Sequence, residues 1–325
     1  MNITLPRIQL TSLPTPVEPL TRLSKFLGGP RIFIKRDDLT GLAGSGNKTR
    51  KLEFLVADAI LKKADTLITV GAVQSNHCRQ TAAAAAKVGL RCILVLRGHA
   101  PAEPAGNLLL NHLLGAEIRW SGDRTREEVM DEVVESERSA GRNPCPIPLG
   151  GSTPLGAVAY AAAMDEFMRQ TIERCDRIVF ASSSGGTHAG LAAGAHFAGY
   201  RGQVLGISVD EELESLQEMV AAIATGTCRL LGDDKTFVPA DIQANADYLG
   251  GGYAVMGAVE REAIDLFARY EGILVDPVYT GRAAAGLIDL IRRGVIRKDE
   301  TVLFWHTGGI PALWAYMSQL VGPMP

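Results

Sequence analysis

The sequence predicts an α/β protein whose sheets are mostly parallel, and three observations support this prediction. Short apolar runs alternate repeatedly with longer amphipathic segments. Such alternation is typical of a parallel sheet that helices cover on both faces. The chain has 325 residues and is 46% hydrophobic, which is enough for a large core and for two domains. No fixed-period repeat replaces the βα pattern.

The predicted elements alternate along the chain. The first clear pair is a β-rich apolar run at 66–70, followed by an alanine-rich segment at 75–87 that favours a helix. Further strands are predicted at 92–96, 118–120, 177–181, 204–208 and 301–304. Further helices are predicted at 107–114, 124–140, 156–173, 189–198 and 283–292. Ligands of open α/β sheets bind beyond the carboxyl ends of strands, so functional residues are expected in the turns there.

Composition and charge exclude several classes of protein. A net charge of −3 gives no electrostatic reason to expect a nucleic acid or an anionic membrane as a partner. No apolar run reaches the roughly 18 residues of a membrane span, and the N-terminal residues lack a signal-peptide pattern. Five cysteines without a CxxC pair indicate neither a disulfide framework nor a zinc site, and His77 and His188 lack a metal-binding context. The expected setting is the cytoplasm, and the expected partner is a small molecule.

Residues 41–49, GLAGSGNKT, place Lys48 in a glycine-rich turn. The segment nearly matches the GxxxxGK[ST] phosphate-binding loop, but Asn47 stands between the last glycine and the lysine. One inserted residue rotates the lysine by about 100° at a helix start. Three interpretations remain at this point: a nucleotide-binding loop, a solvated lysine at a helix start, and a lysine that acts as a covalent carrier.

Residues 182–190, SSSGGTHAG, follow a predicted strand and open an apolar helix. Small residues let backbone N–H groups converge, and a helix N-terminus adds positive potential, so the segment suits a phosphate. The loop itself contains neither lysine nor arginine, which favours a single phosphomonoester over a triphosphate. A tight βα turn that requires glycine explains the segment equally well.

Three further polar turns follow or precede predicted elements, at 74–77 (QSNH), 276–281 (DPVYTG) and 306–309 (HTGG). The first can bind a carboxylate through side chains and free amides at a helix start, or Ser75 can simply cap that helix. Together with the two glycine-rich segments, these turns indicate the rim of an active site.

The motifs together resemble the D-cysteine desulfhydrase and 1-aminocyclopropane-1-carboxylate deaminase family. The resemblance runs nearly end to end and also includes the segments 35–38 (KRDD), 45–53 (SGNKTRKLE) and 71–77 (GAVQSNH). It implies the tryptophan-synthase β-like fold, fold type II, of pyridoxal 5'-phosphate enzymes, with two domains that each hold a mostly parallel sheet. The large cofactor-binding domain is expected at 1–50 and 165–325, the small domain at 51–164, and the assembly is expected to be a homodimer.

The resemblance also implies roles for individual residues. Lys48 is expected to form a Schiff base with the cofactor, Asn76 to contact its ring, and Lys51 to hold its phosphate. Further cofactor contacts are expected from Ser184, Gly185, Gly186, Thr187, His188, Ala189, Gly190, Thr280 and Thr307. Substrate contacts are expected from Gln74, Ser75, Asn76, His77, Tyr253, Tyr279, Thr307 and Gly308. The residues expected to be catalytic are Lys48, Ser75, Tyr253 and Tyr279.

Two positions separate the branches of this family. The deaminase pattern has glutamate where this chain has Thr280, and leucine where it has Thr307. A carboxylate beside the cofactor ring keeps its nitrogen protonated, which ring opening needs more than expulsion of a good leaving group does. The expected reaction is therefore α,β-elimination, with D-cysteine giving pyruvate, hydrogen sulfide and ammonium. L-cysteate sulfo-lyases share nearly all the motifs, so release of sulfite from L-cysteate is the alternative, and deamination is less favoured.

Overall fold

The computed structural model of the chain describes residues 3–170 and 174–321. Within these residues the strands form two separate sheets. The strands are β1 (Val17–Pro19), β2 (Arg31–Arg36), β3 (Thr66–Gly71), β4 (Arg91–Leu96), β5 (Glu117–Trp120), β6 (Pro144–Ile147), β7 (Arg177–Ser182), β8 (Gln203–Ser208), β9 (Ala244–Asn245) and β10 (Thr301–His306). The six strands predicted from the sequence are all present, with boundaries that differ by one or two residues.

The helices lie between these strands as the βα alternation predicts. They are α1 (Thr21–Leu27), α2 (Lys48–Leu61), α3 (Asn76–Val88), α4 (Asn107–Leu113), α5 (Arg126–Ser139), α6 (Pro154–Met168), α7 (Gly186–Ala198), α8 (Leu213–Leu230), α9 (Ala258–Glu271), α10 (Thr280–Arg292) and α11 (Met317–Val321). The predicted helix at 156–173 corresponds to α6, and its last three predicted residues, 171–173, lie outside the described residues. None of the described helices has the length and apolarity that a membrane crossing requires.

The larger sheet has the strand order β1-β2-β10-β7-β8-β9. Only β1 pairs antiparallel with its neighbour, and the other strands run parallel. All six residues of β10 are buried because side chains of alternating residues enter two different cores. Val302 and Phe304 pack with α1, α9 and α10, whereas Leu303 and Trp305 pack with α6 and α7. Helices therefore cover both faces of this sheet.

The smaller sheet has the strand order β5-β4-β3-β6 and is entirely parallel. Its central strand β3 is buried along its whole length. Leu67 faces α2 and α3, while Ile68 and Val70 face α5. All strands of this sheet lie between residues 66 and 147, inside the range predicted for the small domain. The division at residues 50 and 164 itself stays a prediction.

A buried charge cluster fixes the start of α2 against the larger sheet. The carboxylate of Asp37 accepts hydrogen bonds from Arg50 at 2.8 Å, from the Tyr160 hydroxyl at 2.6 Å and from Trp305 Nε1 at 2.9 Å. Burial alone would raise the pKa of Asp37, but Arg50, Tyr160 and Lys35 together outweigh it, and the net shift is downward. Because Arg50 lies in the first turn of α2, the cluster holds in place the turn that begins with Lys48.

Helices α6 and α7 cross at very short range. A Cβ atom added to Gly190 would overlap the carbonyl oxygen of Ala157, and one added to Gly194 would lie 2.6 Å from the Cβ of Met164. Such contacts are possible only for glycine, since any other residue would force the helices apart. The crossing therefore fixes the N-terminal end of α7 relative to α6.

Candidate active site

A cavity of about 280 Å³ lies at the carboxyl ends of strands from both sheets. It meets the expectation that the turns after strands carry the functional groups. Most of the residues expected at the site line it: Lys48, Lys51, Ser75, Asn76, His77, Ser184, Gly185, Gly186, Thr187, His188, Tyr253, Tyr279, Thr307 and Gly308. Gln74, Ala189, Gly190 and Thr280 do not line it.

Lys48 is the first residue of α2, and its side chain lines the cavity. A Cβ atom added to Gly150 would lie 3.3 Å from its Nζ, so the glycine leaves room for the lysine. Burial lowers the pKa of Lys48 to about 8, against the opposing influences of Lys51 and the carboxylate of Asp210. A buried lysine with a lowered pKa supplies a neutral amine near physiological pH, as a covalent carrier requires. The interpretation as a solvated lysine is therefore not supported.

Lys51 lies one helical turn from Lys48 and is almost completely buried. Its Nζ donates to the Gly150 carbonyl oxygen at 3.2 Å and to Ser152 Oγ at 3.3 Å. Burial, followed by the neighbouring ammonium of Lys48, holds the pKa of Lys51 well below its ordinary value. A bound anion would relieve both effects, so Lys51 is suited to hold a phosphate.

The segment between β7 and α7 forms a concave cradle. Gly185 has a φ of +78°, and a Cβ atom on Gly186 would lie 2.8 Å from Lys51 Nζ and 2.7 Å from Ser152 Oγ. The hydroxyls of Ser152 and Ser184 lie 2.8 Å apart at its edge. Because α7 begins here with free backbone N–H groups, the cradle provides an anion site of the size of one phosphate.

The inserted residue of the near-P-loop, Asn47, joins this cradle. Its Nδ2 donates to Thr187 Oγ1 at 3.0 Å, and its backbone N–H donates to the Thr307 carbonyl at 2.9 Å. Glycines 41, 44 and 46 do not line the cavity. The interpretation of this segment as a nucleotide-binding loop is therefore not supported, because the anion cradle is built by a different loop.

His188, Ala189 and Gly190 were expected to hold the phosphate, and they differ in position. His188 lines the cavity, its Nδ1 lies 3.1 Å from Ser182 Oγ, and burial lowers its pKa to about 4. Ala189 and Gly190 face away, and the size of Gly190 is required by the crossing with α6 instead. Their expected contact with a cofactor stays a prediction.

The first turn of α3 presents polar groups to the cavity. Ser75 is the N-cap residue, and its hydroxyl accepts from the backbone N–H of Cys78 at 3.2 Å. The N–H groups of the first helical turn, which begins at Asn76, have no partner within an α-helix. Ser75 thus caps the helix and also stands where a carboxylate can bind, so the two interpretations are compatible.

The side chain of Asn76 is held in one orientation. Its Oδ1 accepts from Arg79 Nη1 at 3.2 Å and from Asn107 Nδ2 at 2.9 Å. Gln74 supports Asn107 in turn, since its Oε1 accepts from the Asn107 backbone N–H at 2.8 Å. Gln74, which was expected to contact the substrate, therefore orders this network behind the cavity wall. The network leaves the amide nitrogen of Asn76 as the group available to a ligand.

His77 is neutral and presents a lone pair. Thr69 Oγ1 gives its proton to the Ile147 carbonyl at 2.7 Å, so His77 Nε2, 2.9 Å away, must be the donor to Thr69. Its Nδ1 is buried and has no hydrogen-bond partner among the residues that the structure describes. Burial, with the charges of Lys48 and Lys51, holds the pKa of His77 well below its ordinary value. An unpartnered buried acceptor is a group that a ligand can satisfy.

Tyr253 and Tyr279 form a hydroxyl pair on the opposite wall. Their oxygens lie 2.7 Å apart, and their rings meet edge to face with centroids 6.0 Å apart. Burial raises the pKa of Tyr253 to about 12 and holds the pKa of Tyr279 well above its ordinary value. Both hydroxyls are therefore protonated at neutral pH, and at least one can donate into the cavity.

Thr280 lies behind this wall. Its hydroxyl donates to Asp276 Oδ1 at 2.8 Å and accepts from the Asp276 backbone N–H at the same distance. The Asp276 carboxylate also accepts from three backbone N–H groups of the turn, at 278–280. The Thr280 proton is thus committed to Asp276, and the expected contact of Thr280 with a cofactor ring stays a prediction.

Seven lining residues lie outside every motif singled out from the sequence: Arg97, Arg126, Leu149, Gly150, Ala181, Asp210 and Glu211. Arg97 directly follows β4, and Asp210 follows β8 at the second residue. Ligands of open α/β sheets bind beyond the carboxyl ends of strands, and applying this rule to every predicted strand would have identified Arg97 and Asp210 as well. The side chain of Asp210 lies beside Lys48 and accepts from Ser183 Oγ at 3.1 Å.

The cavity therefore combines an anion cradle, a reactive amine, an amide donor and a carboxylate-binding helix start. A molecule that carries a phosphomonoester and a group able to condense with an amine fits these features. Within residues 3–170 and 174–321, no cluster of three histidine, cysteine or acidic side chains is suited to hold a metal ion.

Comparisons with known proteins agree with this geometry. The family model described as "Pyridoxal-phosphate dependent enzyme" matches residues 8–308. D-cysteine desulfhydrase from Salmonella typhi is 43% identical over 319 residues, which cover 96% of both chains. A solved structure described as an ACC deaminase homologue superposes with a TM-score of 0.91 at 38% identity, covering 98% of this chain and 96% of the other. Threonine deaminase isoform 2 from Solanum lycopersicum shares the fold, with a TM-score of 0.68 at 16% identity over 96% of this chain and 84% of the other.

Proposed function

The chain belongs to the pyridoxal-phosphate dependent enzyme family and is a lyase that uses this cofactor, and we propose that it converts D-cysteine to pyruvate, hydrogen sulfide and ammonium. The fold is the fold type II arrangement of this family. The observation that carries the proposal is the position of Lys48, which lines the same cavity as the anion cradle and the start of α3. The pKa of its amine is about 8. The 43% identity to a D-cysteine desulfhydrase over nearly the whole chain supports the choice of substrate.

The residues of the cavity fit pyridoxal 5'-phosphate. The cradle at 184–188 and Lys51 would hold its phosphate, Lys48 would carry it covalently, and the amide nitrogen of Asn76 would donate to its ring substituent. When bound, the cofactor supplies an electron sink that stabilises negative charge on the α-carbon of an amino acid. The remaining chemistry is the work of this chain's own groups.

The substrate is held by its carboxylate and stripped of one proton. The hydroxyl of Ser75 and the free N–H groups at the start of α3 bind the carboxylate, which fixes the direction of the Cα–H bond. The amine of Lys48, once displaced by the substrate, takes the proton from the α-carbon as a general base. Its pKa of about 8 is near the operating pH, where such a base is most effective.

Departure of the β-substituent requires a group that stabilises the leaving sulfur. Tyr253 and Tyr279 share one hydrogen bond at 2.7 Å, so the free hydroxyl proton of the pair is available to the sulfur. The pKa of Tyr253, about 12, keeps the hydroxyl protonated, so the pair can donate a hydrogen bond to the departing sulfur, which leaves with the electron pair of the Cβ–S bond. The unsaturated product then leaves and hydrolyses to pyruvate and ammonium.

Two alternative substrates remain in the proposal. Loss of sulfite from L-cysteate uses the same steps and gives the same unsaturated product. The second alternative, ring opening of 1-aminocyclopropane-1-carboxylate, is suggested by the 38% identical structure described as an ACC deaminase homologue. Thr280 and Thr307 of this chain, however, depart from the deaminase pattern. The test is to supply D-cysteine, L-cysteine, L-cysteate and the cyclopropane compound separately, and to measure pyruvate, 2-oxobutanoate, sulfide and sulfite. Pyruvate with sulfide from D-cysteine is expected; 2-oxobutanoate from the cyclopropane compound alone would contradict elimination.

The covalent lysine can be identified directly. Borohydride reduction of the holoenzyme followed by peptide mapping should place the adduct on Lys48. Lys51 serves as the internal comparison because it lies in the same cavity. Lys35 is a weaker candidate, since it is buried in an ion pair with Glu166 at 2.5 Å. An adduct on either of these lysines would overturn the assignment.

The proposal extends to the whole protein. We propose that it acts in the cytoplasm as a homodimer whose protomers have a large domain at 1–50 and 165–325 and a small domain at 51–164. Exposed apolar side chains near the C-terminus, at Trp314, Met317 and Val321, support a dimer. Light scattering coupled to size-exclusion chromatography should give twice the mass of the chain, and a monomer mass would contradict the homodimer.

A further inference from the structure

The segment that carries Tyr253 has no helix or strand of its own. Residues 246–257 connect β9 to α9 through turns and irregular backbone. On either side of Tyr253 the backbone is left-handed, with a φ of +103° at Gly252 and of +63° at Ala254. This conformation is unfavourable for alanine, so contacts from outside the segment must hold it. The position of the Tyr253 hydroxyl therefore depends on residues elsewhere in the chain.

Arg282 of α10 binds the backbone of this segment. Its side chain is almost completely buried. Nη1 and Nη2 both donate to the Gly252 carbonyl at 3.1 Å, and Nη2 also donates to the Val255 carbonyl at 2.9 Å. One guanidinium thus holds the carbonyl groups of residues that precede and follow Tyr253.

The remaining N–H groups of Arg282 join the segment to the elements around it. Nη1 donates to the carbonyl of Val209, directly after β8, at 2.6 Å, and Nε donates to Glu260 Oε1 at 3.0 Å. The other carboxylate oxygen of Glu260 accepts from the backbone N–H of Gly257 at 2.8 Å. All five N–H groups of Arg282 therefore have acceptors, and its planar guanidinium is held in one orientation.

Tyr316 holds the same segment through one further carbonyl. Its hydroxyl donates to the Ala254 carbonyl at 2.7 Å, and its ring is buried in the core that α9 and α10 form against the larger sheet. Arg282 and Tyr316 both lie outside the lining of the cavity, so direct contact with a ligand does not explain them. Their common partner is the backbone around Tyr253.

Arg282 also links the two tyrosines of the cavity wall. Tyr279 is the N-cap residue of α10, three residues before Arg282. The helix that begins at one tyrosine therefore holds the backbone around the other, and their hydroxyl oxygens lie 2.7 Å apart. We propose that Arg282 and Tyr316 are positioning residues that hold Tyr253 against Tyr279, so that the pair can donate a hydrogen bond to the departing β-substituent. This inference rests on the elimination proposed for this cavity.

The importance of this hydrogen bond depends on the leaving group. The sulfur of cysteine leaves with the electron pair of the Cβ–S bond, and a hydroxyl donor stabilises the anion that forms. Chloride is a far weaker base than sulfide, so it leaves β-chloroalanine with little assistance. Loss of the positioning should therefore slow release of sulfide much more than release of chloride, because removal of the α-proton by Lys48 is unaffected.

The experiment removes one hydroxyl group from the holoenzyme. Tyr316→Phe deletes the bond to the Ala254 carbonyl and keeps the ring. Tyr200→Phe is the matched control, because the Tyr200 hydroxyl donates to Cys175 Sγ at 3.4 Å, outside this segment. Arg282→Met removes the guanidinium, and Arg282→Lys retains the charge and part of the hydrogen bonding. Pyruvate release from D-cysteine and from β-chloro-D-alanine gives kcat and KM, and the melting temperature reports on the fold.

The positioning role predicts a loss that is selective for the leaving group. Tyr316→Phe should lower kcat for D-cysteine by at least about fivefold with little change in KM, and kcat for β-chloro-D-alanine by less than about twofold. Arg282→Met should lower kcat for D-cysteine further, Arg282→Lys should restore part of it, and Tyr200→Phe should match the wild type. Equal losses of kcat for both substrates in Tyr316→Phe, which keeps the protein folded, would overturn the role.

A double-mutant comparison tests whether Tyr316 acts through Tyr253. In a Tyr253→Phe background, Tyr316→Phe should cause no further loss of kcat for D-cysteine, because the group that Tyr316 positions is already missing. A further loss as large as that in the wild-type background would show that Tyr316 acts by another route and would contradict the proposal.

A spectroscopic measurement is independent of turnover. With Tyr253 replaced by 3-fluorotyrosine, fluorine magnetic resonance should give one narrow signal in the otherwise unchanged holoenzyme and with Tyr200→Phe, but a broadened or split signal with Tyr316→Phe. The same narrow signal in all three proteins would overturn the positioning role and leave the elimination standing. Absence of pyruvate from both substrates, with the signal changed as expected, would instead overturn the proposed function.

Discussion

The side-chain oxygen of Asn76 accepts a hydrogen bond from Nδ2 of Asn107 at 2.9 Å, and this contact decides which end of the Asn76 amide faces the cavity. Asn107 is fully buried and also accepts from Arg79 Nη1 at 2.8 Å. Burial lowers the pKa of Arg79 to about 10, which still leaves it charged at neutral pH. The first turn of α4 thus orients Asn76, the group on α3 that is proposed to bind the cofactor, without lining the cavity itself.

Replacing Asn107 with leucine should therefore weaken the cofactor site. The Asn76 amide would lose its orientation, and the dissociation constant for pyridoxal 5'-phosphate should rise by at least about tenfold, which equals about 1.4 kcal/mol. Asn111→Leu is the matched control, because Asn111 is buried on the same helix and its amide atoms have no partner among the described residues. The control should bind the cofactor normally and unfold at the same or a higher temperature. Equal affinity in both variants would refute the orienting role.

The pH dependence of cofactor capture follows from Lys48. Below a pKa of about 8 the side chain is an ammonium that cannot condense, and above it a neutral amine that can. The rate at which apoprotein gains the visible absorbance of bound cofactor should therefore rise between about pH 7 and 9 and then level off. An unperturbed lysine would show a rate still rising at about pH 10. Stopped-flow absorbance distinguishes the two curves.

The phosphate cradle can be tested with one methyl group. In Gly186→Ala the added Cβ would crowd Lys51 Nζ at 2.8 Å and Ser152 Oγ at 2.7 Å, so cofactor retention on dialysis should fall sharply. Gly199→Ala, at the other end of α7, meets no atom within 4 Å but has a φ of +60°. That control should lose about 1 kcal/mol of stability and keep its cofactor. Similar retention in the two variants would contradict the cradle.

Ser75 caps α3 and is proposed to bind the substrate carboxylate, so Ser75→Ala should have two separable effects. Loss of the bond from the Cys78 N–H should lower the free energy of unfolding by about 1 kcal/mol. Loss of a carboxylate contact should lower turnover by at least about tenfold. Ser75→Asn, which retains a capping group, should restore the melting temperature but not the turnover. Recovery of both would assign Ser75 to capping alone.

The environment of Thr280 bears on the choice between elimination and ring opening. Its proton goes to Asp276, and a hydroxyl is too weak a base to keep a pyridine nitrogen protonated. Nuclear magnetic resonance on cofactor labelled at the ring nitrogen should show a largely unprotonated ring in the wild type and a protonated one in Thr280→Glu, since a nearby carboxylate favours the cation. A fully protonated ring in the wild type would remove this reason for preferring elimination.

Much of the fold followed from local sequence patterns. The strands at 66–70, 177–181 and 301–304 were identifiable because buried parallel strands are continuous apolar runs. Helices α8 and α9 were not predicted, although Leu216, Val220 and Ala224 have helical spacing. The division into two sheets was not visible either, because it depends on which strands pair, and pairing is decided by contacts far apart in sequence.

The site was predictable to a similar extent. Lys48 and the 184–188 loop were singled out because a lysine in a glycine-rich turn and small residues at a helix start suit a covalent carrier and a phosphate, although structural explanations fit both segments as well. Gln74 also orders Asn107, and Gly190 also permits a helix crossing, and neither contact was predictable because the partner is distant in sequence. Their expected contacts with substrate and cofactor stay predictions. Arg97 and Arg126 carried no motif, since a single charged residue after a strand is indistinguishable from a solvated one until the loops are brought together.

Different sheets supply the two walls of the cavity, so the residues proposed to hold the cofactor phosphate and those facing the substrate lie on different turns. The larger sheet supplies the cradle at 184–188, whereas the turns after β3, β4 and β5 supply Ser75, Arg97 and Arg126. The turns after β4 and β5 hold none of the residues proposed to contact the cofactor, so changes confined to these two turns should reshape the cavity wall while the cofactor stays bound. For a protein engineer, a library confined to these two turns is the economical starting point, because most of its members would keep a loaded and folded scaffold.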